Sequence, residues 1–229
     1  MTRPRVVSLV PSATESLRAW AVEPVAVTRF CPPPHPQAVG GTKDPDIDAI
    51  VALRPDLVVM CIEENRREDA DALTERGIEI VALSIDTVTD VVTELARLAD
   101  AVGVDAAPIE LPGPVPAPPG GRRAFVPIWR RPWMTISATT YAASMLGWLG
   151  LDTVFADAPD RYPTVELADA AARRPDLVVA PSEPYPFGER HRAELEQVAP
   201  VVFVDGEDLV WWGTRTPDAL RRLAAPLTP

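Results

Sequence analysis

Apolar residues in this chain gather into short unbroken runs, and segments of helical period separate them, as in buried parallel strands alternating with amphipathic helices. Four runs in the first half read as strands: Arg5 to Val10, Val25 to Thr28, Leu57 to Cys61 and Glu79 to Leu83. Three follow in the second half, at Ala124 to Ile128, Leu177 to Ala180 and Val201 to Val204. The spacing predicts helices over Ser12 to Trp20, Ile47 to Leu53, Arg67 to Arg76, Thr87 to Val102, Thr139 to Leu149, Val165 to Ala172, Arg190 to Val198 and Pro217 to Ala224. Ser12-Ala-Thr-Glu15 has the form of a capping box, so the first helix is expected to start at Ser12. Asp46 is placed to cap the helix at Ile47.

The two halves resemble each other. Ala52 to Val59 reads ALRPDLVV, and Ala172 to Val179 reads ARRPDLVV. Between the halves runs Asp105 to Gly121, with prolines at 108, 112, 114, 116, 118 and 119. Each proline fixes φ and removes a backbone donor, so neither a regular helix nor a central strand is expected there. The division predicted is an α/β lobe over 1–104, a connector over 105–121 and a second α/β lobe over 122–229.

Composition narrows the function. At 47% apolar residues the chain is globular, and a formal charge of −11 makes nucleic acid or an anionic membrane an unsuitable partner. No stretch approaches the 18 apolar residues of a membrane span. Cys31 and Cys61 are too few for a disulfide framework. The opening MTRPRVVSLVPSATES enters a strand-like run without an apolar h-region, so as written the chain is expected in the cytoplasm. A removed leader would place it in the periplasm or at the cell surface instead.

Chemistry concentrates in the loops at strand ends. Arg29, Phe30, Glu63, Glu64 and Asn65 fall in such loops of the first half; Trp129, Arg130, Trp133, Tyr185, Phe187, Trp211 and Trp212 do so in the second. Aromatic side chains there can cover a large flat ligand at low entropic cost, arginines can meet its phosphate or carboxylate groups, and the carboxylates can bond amides or pair with Arg130 or Arg131. Catalytic signatures are absent: there is no G-x-S-x-G elbow, no P-loop and no G-x-G-x-x-G. Cys31 near His35 is a conceivable nucleophile–base or metal pair, though the prolines between them favour a simple turn. The sequence therefore predicts a ligand binder, no enzyme, with neither a catalytic cofactor nor a metal site.

The segments RVVSLVPSATESL, TRFCPPP, GGTKDPDIDAIVALRPDLVV with EENR, IWRRPWM, RYPTVEL, EPYPFGERH and DGEDLVWWGTR resemble, together and in order, the vitamin B12-binding and metal-siderophore-binding receptors of ABC importers. This is the helical-backbone class of periplasmic binding proteins, in which two parallel-sheet α/β lobes enclose a ligand cleft. The resemblance implies cobalamin, another corrinoid or a metal chelate as a small-molecule ligand. It also implies an importer permease as partner, docked through Glu68 and Glu189, and a monomeric receptor. Carried over by motif, the pocket residues are Glu63, Glu64, Asn65, Trp129, Trp133, Tyr185, Trp211 and Trp212. Cys61 stands where B12-binding members have a tryptophan. The proline-rich connector stands where the class has its bridging helix, so an extended strap of about 3 Å per residue is expected there. A cytoplasmic enzyme, or an interaction module on the same scaffold, is the alternative reading.

Overall fold

The computed structural model describes residues 3–228; Met1 and Thr2, which open the stretch read for a leader, lie outside them. It divides into two compact units, described in turn. The first comprises the chain up to Ile85, Thr89–Glu110 and Trp212–Thr214; the second comprises Asp86–Val88, Leu111–Trp211 and the chain from Arg215 on.

In the first unit β1 (Val6–Ser8), β2 (Ala26–Val27), β3 (Leu57–Cys61) and β4 (Glu79–Leu83) form one parallel sheet in the order β2-β1-β3-β4. The helices α1 (Pro11–Ala19), α2 (Ile47–Ala52), α3 (Arg67–Glu75) and α4 (Val88–Ala101) follow the strands or the loops between them. Val7, Leu9, Val58, Met60, Ile50 and Leu73 form the core on one sheet face. Both faces of β3 are buried, which is why its five residues are uniformly apolar.

The second unit repeats the plan. β5 (Arg123–Phe125), β6 (Asp152–Thr153), β7 (Leu177–Pro181) and β8 (Val201–Val204) pair in parallel in the order β6-β5-β7-β8. Around them lie α5 (Tyr141–Trp148), α6 (Leu167–Ala172), α7 (Arg192–Leu195), α8 (Gly206–Val210) and α9 (Thr216–Leu227).

The repeated R-P-D-L motif has the same physical task in each unit. Arg54 and Arg174 follow α2 and α6 with φ of 47° and 52°, and so turn the chain out of the helix. Asp56 then accepts the backbone N–H of Arg5 at 2.6 Å, as Asp176 accepts that of Arg123 at 2.7 Å. The guanidinium groups of Arg5 and Arg123 donate back to the carbonyls of Leu53 and Arg173. Each motif thus ties the end of one helix to the start of the central strand pair.

Several expectations are corrected. The first helix begins at Pro11, not Ser12: proline lacks the N–H that a first helical turn leaves unpaired, and the cap residue Val10 makes no side-chain bond. The Ser12 carbonyl instead accepts from Ser16 Oγ one turn on. The short edge strand β6 and the helix α8 arise where loops were expected; Asp205 Oδ1 accepts Glu207 N–H at 2.9 Å and starts α8. The segment 104–118 carries neither helix nor strand, in keeping with an extended strap. It is not loose, since Val115 N–H donates to the Trp148 carbonyl and Trp148 Nε1–H donates to that of Pro112.

Candidate functional site

Loops after the strands of a parallel sheet lie at its carboxyl edge, where ligands of such folds sit. In the second unit that edge carries an aromatic cluster. The chain leaves β5, makes a hairpin in which Ile128 N–H donates to the Met134 carbonyl and Met134 N–H to that of Trp129, and pairs Met134 with Thr164. The hairpin sets Trp129 edge-on to Tyr185 at 5.7 Å, and it stacks Trp133 on Phe187 at 5.9 Å with an 8° interplanar angle. Tyr185 and Phe187 are 4.7 Å apart, and His191 meets both rings. Burial and the nearby Arg190 hold the His191 imidazole below its ordinary pKa, so at neutral pH it is uncharged.

Within this cluster the predicted residues part into an exposed face and its support. Trp129 is 43% exposed and Tyr185 half-buried, so these rings offer surface. Phe187 is 6% exposed, belongs to the core with Phe125 and Val178, and supports Trp133 from beneath. Arg130 donates from Nε to Glu194 Oε2 at 2.9 Å and lies over the Trp133 ring, so its charge is already matched within this unit.

The adjacent tryptophans separate. Trp211 stays with the second unit, half-buried, under the Arg215 guanidinium at 5.3 Å. Burial, then the neighbouring Glu207, pushes the Glu183 carboxyl above its ordinary pKa. Trp212 goes with the first unit and is 3% exposed, so its ring is a packing element there. Beside it Gly213, at φ 126°, passes so near α1 that an added Cβ would lie 2.2 Å from Ser16 Oγ. The same Ser16 hydroxyl receives the Thr214 N–H at 3.2 Å.

In the first unit the carboxyl edge is polar. Arg29 is paired with Asp44 at 3.1 Å and lies over Phe30, which is 54% exposed. The turn after β3 is closed by Asn65, whose Oδ1 accepts the Cys61 N–H at 2.8 Å and whose Nδ2 donates to the Thr42 carbonyl. Its amide, 8% exposed, therefore shapes the loop. Lys43 Nζ donates to the Glu63 carbonyl at 2.9 Å. Half-buried Glu64 is pushed up to about 7, mainly by burial and then by Glu63, with Lys43 opposing. Burial and Glu64 push the Cys61 thiol up to about 12. Cys31 is buried among Thr14 Oγ1 and Thr28 Oγ1 at 3.2 Å each, and His35 contacts its carbonyl and not its sulfur, so the two form no nucleophile–base pair. Among the described residues, no group of three His, Cys, Asp or Glu is placed to hold a metal, and no helix is long and apolar enough to cross a membrane.

The periplasmic vitamin B12-binding protein BtuF of Vibrio cholerae superposes with a TM-score of 0.76 at 19% identity, over 98% of this chain and 96% of that one. The chain has the periplasmic-binding-protein fold. The periplasmic heme-binding protein BhuT in complex with two hemes superposes with a TM-score of 0.77 at 19% identity, over 98% and 97% of the two chains. Among curated proteins, the vitamin B12-binding protein of Salmonella choleraesuis (strain SC-B67) is 27% identical over 193 residues, 77% of this chain and 71% of that protein. No family model matches the chain. Of the residues that sequence reasoning did not single out, Glu194 and His191 complete the aromatic cluster; their signal was position alone, in the helical turn after the Tyr185 loop.

Proposed function

We propose that the chain is a substrate-binding protein that captures cobalamin, or a related corrinoid or metal chelate, and hands it unaltered to an ABC importer. The observation that carries this reading is the exposed Trp129 ring held edge-on to Tyr185 at the carboxyl edge of the second sheet. A rigid aromatic face of this kind suits a large flat ligand. The similarity to vitamin B12-binding and heme-binding periplasmic proteins supports the ligand class and a periplasmic location, and gives none to a cytoplasmic one. Those relatives are binding proteins, so the small molecule is cargo and not a catalytic cofactor. Glu63, Glu64, Trp129, Tyr185 and Trp211 are the proposed contacts, with a monomeric receptor meeting the permease through Glu68 and Glu189.

Titration of tryptophan fluorescence with cyanocobalamin tests this, with haem and a ferric siderophore as comparison ligands. Saturable quenching by one of them, with the ligand recovered unchanged and Trp129→Ala weakening it, is the expected result. A flat response to all three overturns the reading.

A further inference from the structure

We propose that Arg131 reads an anionic oxygen, a phosphate or a carboxylate, on the edge of the bound ligand. The inference deepens the binding function above and rests on it.

It starts from where the two units differ. In the first, only Leu9 and Val10 separate β1 from α1; in the second, residues 126–140 separate β5 from α5. That insertion is the hairpin, and it is firmly held. Its base is closed by the Ile128–Met134 and Met134–Trp129 bonds, its outer arm is tied by Thr135 N–H to the Pro163 carbonyl, and Trp133 is clamped on Phe187. At the tip stand two arginines with opposite surroundings. Arg130 is half-buried and neutralised by Glu194. Arg131 is exposed, and no hydrogen bond or ion pair engages its guanidinium among the described residues.

The backbone of Arg131 lies at φ 68°, in the left-handed region that a residue with a side chain enters only at a cost. The other long side chains at such φ differ in kind. Arg54 and Arg174 close the repeated helix-to-strand turn at the opposite end of the strands. Arg131 has no counterpart in the first unit and sits on the same rigid hairpin as the exposed Trp129. In a chain of net charge −11, an exposed and unmatched guanidinium, on a held backbone two residues from an exposed aromatic ring, selects for a negative oxygen, which its planar fork binds in two places.

The test compares wild type with Arg131→Ala, Arg131→Lys and Arg131→Gly, the last accepting the native φ without strain. Each is titrated with paired ligands: cyanocobalamin, which carries a phosphodiester, against dicyanocobinamide, which has none; and haem, with two carboxylates, against haem dimethyl ester. The expected result is a loss of about tenfold or more for the acidic member of a pair with Ala and Gly, less with Lys, and under about twofold for its neutral partner. The pair affected tells phosphate from carboxylate. Equal affinity of all variants, or equal loss for acidic and neutral partners, overturns the role of Arg131 while leaving the binding function intact. A wild type that binds none of the four overturns the function on which this rests.

Discussion

Replacing Glu64 by Gln should stabilise the protein, and increasingly so as pH rises. The carboxyl lies half-buried in the turn after β3, with Glu63 adding negative potential and Lys43 only partly offsetting it. Its pKa is raised from an ordinary 4.5 to about 7. The folded state therefore holds a proton that the unfolded chain has released between these two values, so stability falls as pH rises through that window. Full conversion of such a rise at 1.36 kcal/mol per pH unit gives about 3 kcal/mol, and partial contact with water reduces it to about 1–2 kcal/mol. Glutamine keeps the shape and removes the titration. Urea denaturation of both proteins at pH 5, 6, 7 and 8 should show the smallest difference at pH 5 and an advantage for Glu64→Gln that grows up to about pH 7 and levels off by pH 8. A difference that stays flat across the series, or a variant less stable at pH 8, would refute the idea that burial of this carboxylate is unfavourable.

Two further outcomes follow from the second unit and from the repeat. Asp208, 3% exposed, accepts from Arg222 at 2.6 and 2.7 Å and from Arg215 at 3.2 Å, so Asp208→Asn weakens its charge-assisted hydrogen bonds to both arginines, although Arg215 keeps Glu207 at 3.0 Å and Arg222 keeps water, and should cost about 2 kcal/mol in urea unfolding at pH 7. Its pKa is held below the ordinary 3.8 chiefly by the Arg222 hydrogen bond, so the difference should shrink as the pH is taken below 3.8, where wild type too loses the charge. Asp56→Ala and Asp176→Ala each remove one strand-start hydrogen bond and should each cost about 1 kcal/mol, similar in size because the motif is repeated; a large inequality in their melting temperatures would contradict that equivalence.

The scaffold was legible because its signals are local. Leu57–Cys61 is a strand at the residues where its apolar run begins and ends, since this central parallel strand is covered on both faces and leaves no polar position to blur the pattern. Glu79–Leu83 and Val201–Val204, at the sheet edges, keep enough apolar residues to be read at the same bounds. Asp46 caps α2 as its type and place predict. What escaped depends on partners remote in sequence or on very short elements. The two-residue β6 has no periodicity to read, and α8 is concealed by its Gly-Glu-Asp opening. Gly206 is there because Glu183 packs against it, an added Cβ falling 2.2 Å from the Glu183 nitrogen.

The candidate site was legible in residue type and only half so in role. Tyr185 and Phe187 are indistinguishable in the sequence, both aromatic and both flanked by prolines or glycine. Two residues apart, their rings lie on one side of the loop and touch at 4.7 Å, and remote partners divide them: Phe187 stacks on Trp133 in the core, while Tyr185 stays half-buried beside the exposed Trp129. Trp211 and Trp212 also divide by their partners, one lying under Arg215, the other drawn in beside the Gly213–Ser16 contact. The repeat explains why function is found where the halves disagree. Sheet order and the R-P-D-L turn are shared because either half needs them to fold, whereas the hairpin bearing Trp129 to Trp133 exists only in the second. On the function proposed above, this segment, which neither sheet requires and which is pinned by hydrogen bonds at its base and by ring stacking at its side, is the part that meets the ligand.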